Sequence, residues 1–269
     1  MDFFKPTDPD LSHMIKAIQR KFKIAVDGSQ GPQTLATIYE ALGCAEYPYT
    51  FTAYGADVTV MYPDQLRVAN GEGKSITNFF QGTSGQYNNG KQIGSMAINQ
   101  GKVIYDQACH AWMHTVGRKA YPEGVLYLTR DGKVLYERVA YLRELKTPLS
   151  AILWLVGGCS GGRNFNPDAE GFSRHVCSDG KIRDYTDVFR AARRVSIFYK
   201  DGMMYKIAHP FITMQGLDTL LINKFGADPG RIIHLDGGTP YAKNLTKASG
   251  TKSVANASYP QKAVLYCEK

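Results

Sequence analysis

Three side chains in the C-terminal third of the chain carry complementary chemistry: Arg194, His209 and Asp236. A guanidinium group binds phosphate or carboxylate oxygens through two parallel hydrogen bonds, and an imidazole exchanges protons near neutral pH. A carboxylate acts as a nucleophile, as a base or as an anchor for hydroxyl groups. Each residue also fits a plain surface ion pair, a strand cap or a turn, so the pattern points to a site only if the three lie together.

The strand pattern around these residues predicts that two of them face each other. Two β-strand patterns flank Asp201-Gly202, a dipeptide typical of a two-residue hairpin loop. Counting outward from this loop places Arg194 opposite His209 and on the same face of the sheet. Both side chains are then within reach of one ligand.

A helix and a further strand pattern follow this hairpin. Apolar residues at helical spacing predict the helix, and residues 231–235 form the strand pattern. Because the helix carries the chain back over the sheet, strand 231–235 should run parallel to strand 203–208. The carboxyl ends of these strands then bring His209 and Asp236 to the sheet edge where strand 194–199 begins. The helical positions are Leu217, Leu220, Leu221 and Phe225, with Gly226 as the stop signal.

The central part of the chain also has mainly β-strand patterns. Asp131-Gly132 predicts a second hairpin, the apolar run 151–156 ends in a glycine-rich stretch, and residues 163–190 have the composition of a long polar loop. We therefore predict an α+β fold: a mixed β-sheet core with packed helices, preceded by a small helical N-terminal segment. The predicted domains are residues 1–44 for the helical segment and residues 45–269 for the sheet-bearing domain.

Length, charge and cysteine pattern exclude several classes of protein. The 269 residues suffice for one large domain with a small appendage. The net charge is +8, but lysine and arginine are dispersed and no apolar run is long enough to span a bilayer, so we expect neither a nucleic-acid partner nor membrane insertion. Five cysteines without CxxC spacing fit neither a disulfide framework nor a structural zinc site. The N-terminus lacks the apolar stretch of a signal peptide, which predicts synthesis in the cytoplasm without one.

Three other patterns suggest different chemistry. Residues 157–162 are rich in glycine, but they match neither GxxxxGK[ST] nor GxGxxG, which argues against a phosphate-binding loop. His110 and His114 have the spacing of two metal ligands on one helical face, but a third ligand is not recognisable, so we predict no metal and no cofactor. A nucleophilic cysteine beside a histidine is the third pattern, although buried structural cysteines are commoner. The residues concerned are Cys159 with His175 or His234.

The order of these elements resembles the phosphodiester glycosidase family over most of the chain. That family has an Arg-Thr-Ala-Ile-Gly-like strand, which residues 194–198 resemble, and an Asn-Leu-Asp-Gly-Gly-Gly-Ser-like strand and turn, which residues 234–240 resemble. Residues 75–80 resemble its Asn-Gly-Gly-Phe-Phe element, and Gly157-Gly158 resemble its glycine-rich strand end.

The resemblance implies cleavage of a sugar-1-phosphate diester at the anomeric carbon, with release of the phosphate-bearing partner. It implies that Arg194 binds the phosphate, that Asp236 is the carboxylate at the sugar, and that His209 shuttles a proton or binds phosphate. The chain departs from the family pattern where Thr239-Pro240 replaces Gly-Ser, and its upstream asparagine lies one or two positions late. The implied substrate-binding residues are Gly237, Gly238, Thr239, Asn78 and Gly158.

The N-terminal segment resembles a second family. Two short helical patterns surround Asp27-Gly28-x-x-Gly31-x-x-Thr34, which resembles the peptidoglycan-binding domain family. Together the two resemblances imply a hydrolase that cleaves glycosyl-phosphate bonds in a bacterial cell-wall or surface glycan, in the manner of a phage lysin released without a signal peptide. Its partner is that glycan or a sugar-1-phosphodiester substrate. The alternative is a non-catalytic cell-wall or glycan-binding protein on a degenerate glycosidase fold.

Overall fold

Antiparallel β-strands dominate the part of the chain that the structure describes. The computed structural model describes residues 16, 17, 19–21, 49–70, 79–82, 86–88, 91–107, 122–165, 174–176, 182–184, 191–235, 243–246, 252–255 and 263–267. The strands are β1 (Tyr49–Ala53), β2 (Ala56–Met61), β3 (Leu66–Asn70), β4 (Phe79–Gly82), β5 (Gln86–Asn88), β6 (Lys91–Asn99), β7 (Lys102–Gln107), β8 (Glu123–Thr129), β9 (Val134–Val139), β10 (Ile152–Ser160), β11 (Arg174–Val176), β12 (Ile182–Asp184), β13 (Ala192–Lys200), β14 (Met203–Ile212), β15 (Ile232–Leu235), β16 (Lys243–Thr246), β17 (Lys252–Ala255) and β18 (Ala263–Cys267). Helix α1 is Met214–Phe225.

Eleven of these strands form one sheet. Its main path is β1-β2-β14-β13-β15-β10-β6-β5, with β7 beside β6, β8 beside β10 and β9 beside β8. Strand β10 changes partners along its length: residues 152–158 pair with β8, residues 154–156 with β6, and residues 159–160 with β15. The three smaller sheets are β11–β12, which lies within the predicted polar loop, β16–β17, and β3–β18–β4.

The predicted α+β fold with a mixed sheet and packed helices is wrong, because the described pairings are antiparallel and sheet dominates. Apart from helical residues 16, 17 and 19–21, α1 is the one α-helix in the described ranges. As predicted, α1 returns the chain so that β15 runs parallel to β14. However, β13 lies between them and is antiparallel to both, so the parallel strands are separated. Tight two-residue turns favour such antiparallel neighbours.

The predicted register of the β13–β14 hairpin is confirmed. Asp201 and Gly202 have φ values of 50° and 84°, the left-handed conformation that a type I′ turn needs at both central positions. The pairing extends outward until Arg194 lies opposite His209. Left-handed residue pairs also form the β1–β2 and β6–β7 turns, and the predicted β8–β9 hairpin is present; these turns contain Tyr54-Gly55, Gln100-Gly101 and Asp131-Gly132 respectively.

Helix α1 packs on one face of the sheet. Its N-cap Thr213 accepts a hydrogen bond from the Gly216 N–H at 2.9 Å, and Gly226 ends it with a left-handed φ of 64°, as predicted. Leu217 and Leu221 are fully buried against the strands. This apolar contact fixes the rotation of the helix about its axis, and so determines which polar residue of the helix faces the sheet.

The other face of the sheet carries a second part of the core. Ile197, Ile233 and Trp154 are fully buried in one cluster on this face. Leu66 of β3 and Leu265 of β18 belong to the same cluster, so the small β3–β18–β4 sheet packs against the main sheet here. The strands that carry the predicted site are therefore covered on both faces, which leaves their ends as the accessible part.

Candidate functional site

The start of β13 and the ends of β14 and β15 lie at one edge of the main sheet. Strand β13 is antiparallel to both neighbours, so its first residues lie beside their last residues. Arg194 pairs with His209, and Val195 pairs with Leu235, the last residue of β15. Asp236 is the next residue after Leu235 in the sequence.

The structure brings two of the predicted catalytic residues, Arg194 and His209, to this edge. The third, Asp236, lies outside the described residues, and its place in the site stays a prediction. Four predicted substrate-binding residues and the two histidines of the metal pattern also lie outside the described ranges: Gly237, Gly238, Thr239, Asn78, His110 and His114.

His209 has a defined tautomer. Its Nδ1 accepts a hydrogen bond from the Phe211 N–H at 3.2 Å, so the proton of the neutral ring is on Nε2. Partial burial lowers the pKa of His209 from its ordinary value. Nε2 faces the β1–β2 turn, where a Cβ on Gly55 would lie 3.5 Å away. At neutral pH this residue therefore offers an N–H donor instead of a positive charge.

Arg194 brings a positive charge to this edge. Its side chain is partly buried and lies on the face of β13 that α1 covers, because Ser196 and Phe198 alternate with it on that strand. The neighbouring Arg193 is exposed, where the β13–β14 register shifts between Ala192 and Arg194. Arg194 and His209 thus place a guanidinium group and an imidazole at paired positions of neighbouring strands, and both groups can donate to the oxygens of an anion.

Gly158 has a packing role in the structure. It lies in β10 and is buried, and a Cβ at this position would lie 2.2 Å from the carbonyl oxygen of His234. Only glycine allows the backbones of β10 and β15 to approach this closely. The contact accounts for glycine here without a ligand, and substrate binding by Gly158 stays a prediction.

A buried polar group that the sequence analysis did not assemble lies just behind the edge. Ser196 Oγ lies 2.6 Å from His234 Nδ1, and His234 Nε2 lies 3.2 Å from Asp218 Oδ1. Ser196 and His234 are paired residues of β13 and β15, and Asp218 projects from α1. The available signal was Asp218 itself, an acidic residue between Leu217 and Leu221 on the apolar face of the helix.

Cys159, which the sequence analysis considered as a nucleophile, pairs with His234 across β10 and β15. It is a buried thiol that is not in a disulfide, and its Sγ donates to the Ser160 carbonyl at 3.6 Å. Since His234 makes its polar contacts with Ser196 and Asp218, the structure gives Cys159 the features of an inert buried thiol.

The described part of the chain contains no group of three or more His, Cys, Asp or Glu side chains placed to hold a metal ion. Among the same residues there is no helix long and apolar enough to cross a bilayer.

Comparison with solved structures shows one fold similarity of note. The catalytic domain of zebrafish N-acetylglucosamine-1-phosphodiester alpha-N-acetylglucosaminidase, auto-inhibited by its pro-peptide, is 13% identical, with a TM-score of 0.50. The match covers 82% of this chain and 81% of that domain. A hypothetical protein from Synechocystis is 12% identical at a TM-score of 0.37, with 81% and 60% of the two chains covered. No family model matches the sequence, and neither does any curated protein.

These comparisons support one of the two sequence resemblances and not the other. The chain has a fold similar to that of a phosphodiester glycosidase catalytic domain. The resemblance of residues 1–44 to peptidoglycan-binding domains receives no support, and nearly all of that segment lies outside the described residues. A bacterial cell-wall target and a phage lysin likewise remain predictions from sequence alone.

Proposed function

We propose that this chain is a hydrolase of sugar-1-phosphodiesters, which cleaves the bond between the anomeric carbon and the phosphate oxygen. Water supplies a hydroxyl group to the anomeric carbon, and the phosphate-bearing partner leaves with the linking oxygen and takes up the remaining proton of that water. The observation that carries the proposal is the Arg194–His209 pair at the strand edge that leads into Asp236. Fold similarity to a catalytic domain of this specificity supports it.

The chemistry of the leaving group explains why this pair would suffice. A phosphodiester oxygen leaves more readily than an alcohol, so strong general-acid help matters less than binding the charge of the departing phosphate. The Arg194 guanidinium would bind two phosphate oxygens, and the Nε2–H of His209 would donate to a third. We assign Asp236 to the sugar side, where a carboxylate serves the positive charge that develops at the anomeric carbon.

Phosphorus NMR tests the reaction directly. The purified protein is incubated with UDP-N-acetylglucosamine and with other sugar-1-phosphodiesters, and we expect a terminal phosphate signal to appear as the diester signal declines. Arg194→Ala should reduce the rate by about a hundredfold, in the range for removal of a donor to a developing charge. Arg193→Ala is the matched control, because it removes the same charge from the exposed neighbouring position and should retain activity.

A glycan-binding protein without catalysis is the second candidate. The observation in its favour is the pair of exposed aromatic rings near His209: Phe211 is 71% exposed and Tyr54, beside Gly55, is 52% exposed. Exposed rings of this kind stack on sugars. If folded wild-type protein released no phosphate product from any diester tested, but bound glycans in a manner that Phe211→Ala abolished, the hydrolase would be rejected in favour of the binding protein.

A further inference from the structure

Asp218, His234 and Ser196 form a polar chain that is sealed between helix α1 and the sheet. Their exposed fractions are 6%, 3% and 0%, so water has almost no access to any of them. Burial of a carboxylate and an imidazole is costly unless each group satisfies the other. The hydrogen bonds of this polar group are therefore determined by Asp218, His234 and Ser196 themselves.

The contact between Asp218 and His234 determines where the imidazole carries a proton. Nε2 and Oδ1 are both shielded from solvent and lie 3.2 Å apart, without another hydrogen-bond partner among the described residues. If Nε2 were unprotonated, its lone pair would face the lone pairs of the carboxylate, and the two acceptors would repel. A proton on Nε2 makes the contact attractive even though the N–H···O line is bent. In the neutral ring Nδ1 is then the acceptor, and the Ser196 hydroxyl donates to it.

The surroundings keep other groups away from this contact. A Cβ on Gly161 would lie 2.9 Å from Asp218 Oδ1 and 3.0 Å from His234 Nε2, so the backbone just after β10 lies directly against the pair. The ring of Phe165 meets His234 edge to face, with centroids 6.3 Å apart. The pair is therefore enclosed by glycine backbone and an apolar ring, in the low dielectric where a misplaced proton costs most.

The polar group of Asp218, His234 and Ser196 also lies close to the candidate site in the sequence and in the sheet. Ser196 lies two residues from Arg194 along β13, and His234 lies two residues before Asp236. Asp218 lies in α1, which follows β14 and its His209. The polar group thus connects β13 and β15, two of the strands at the site edge, with the helix that follows the third, β14.

We propose that Asp218 is a positioning residue that holds a proton on Nε2 of His234. Together with the Ser196 hydroxyl, this pair sets α1 against the ends of β13 and β15 and so fixes the spacing of the site edge. The proton placement follows from the buried geometry alone, whereas its effect on turnover rests on the proposed hydrolase function.

Nitrogen NMR of the full chain labelled with ¹⁵N-histidine tests the proton placement without any substrate. The His234 signals are identified by their loss in His234→Asn, and two-bond proton–nitrogen correlations distinguish a protonated from a bare ring nitrogen. At pH 8 we expect Nε2 to be protonated and Nδ1 to be the acceptor. A bare Nε2 in the wild-type protein would overturn the proposal.

Two variants separate the partners of the ring. Asp218→Leu removes the carboxylate, so the fraction of His234 with a bare Nε2 should increase. Ser196→Ala removes the other partner and should leave Nε2 protonated, and it keeps the test decisive if Asp218→Leu does not fold. A bare Nε2 in Ser196→Ala would show that the serine, and not Asp218, controls the ring.

Kinetics tests the positioning role. Asp218→Leu should lower kcat on the order of tenfold to a hundredfold while KM changes less than about threefold, because displacement of the site edge affects the transition state most. Asn223→Leu, the same replacement on the exposed face of α1, should leave both constants unchanged. Equal kcat in Asp218→Leu and the wild type would remove the positioning role. If the wild type turned over no diester, the proposed function would fail, and the NMR result would stand independently.

Discussion

Burial of His209 links the chemistry of the site edge to the stability of the fold. The pKa of His209 is lowered by burial, so between its folded and unfolded values the unfolded chain binds more protons than the folded chain. Stability that is fully present above the ordinary histidine pKa of about 6.5 is therefore lost as the pH falls through the folded value.

The His209→Gln variant tests this linkage. Urea unfolding at pH 7.5 and pH 5.0 should show that the wild type loses more unfolding free energy on acidification than the variant does, since glutamine cannot take up the proton. The comparison needs only the difference between the two pH values in each protein, so a constant effect of the substitution cancels. An equal loss in both proteins would mean that His209 does not contribute to acid sensitivity.

Ser196 and His234 illustrate how much of the site a single sequence can predict. Their side chains contact each other at 2.6 Å, although 38 residues separate them in the sequence. To predict that contact, one must know that β13 pairs with β15. To add Asp218, one must also know how α1 is rotated about its axis. Arg194 and His209 were predictable because a two-residue turn fixes register by counting.

Among the elements, helix α1 depends on its N-cap. Thr213→Ala removes the side chain that accepts from the Gly216 N–H and should lower the free energy of unfolding by about 1 kcal/mol. Thr219→Ala is the matched control within the same helix, because that side chain is exposed and donates to the Gln215 carbonyl. Chemical denaturation of both variants gives the comparison, and equal stabilities would show that the cap contributes nothing.

The close approach of β10 to β15 should make the stability of the protein sensitive to a single added methyl group. Gly158→Ala places a Cβ against the His234 carbonyl and should cost about 3 kcal/mol, at the upper end for overpacking. Gly132→Ala meets no atom within 4 Å and bears only the strain of a φ of 82°, about 1 kcal/mol. Thermal or urea unfolding should rank the two variants in that order, and the reverse ranking would contradict the contact.

The elements also show where sequence patterns stop being informative. The hairpins and α1 were predictable because turns, caps and spacing are local signals. The sheet was misjudged as mixed because a helix that returns the chain says which way β15 runs, but not which strand lies beside it. That choice came from β13, whose apolar residues pack on both faces and fit the central position.

Across the whole molecule, protection against hydrogen exchange should follow position in the sheet. Strand β13 is paired on both sides, by β14 and β15, whereas β1 forms one end of the main path with β2 as its one described partner. Amides of β13 should therefore exchange only through large-scale opening, and amides of β1 through local fraying. Exchange measured by mass spectrometry that found β1 as slow as β13 would contradict this sheet order.

The change of partners along β10 has a mechanical consequence. In the described chain, the strands β1, β2, β14, β13 and β15 are joined to β10 and its other partners by two residue pairs, Cys159 with His234 and Ser160 with Ile233, and by the hydrogen bond from the Gly161 N–H to the Ile232 carbonyl. This narrow connection divides the main sheet into two parts. Arg194, His209, α1 and the Asp218–His234 contact all lie on the same side of this connection, so a displacement between the two parts of the sheet would preserve their mutual distances.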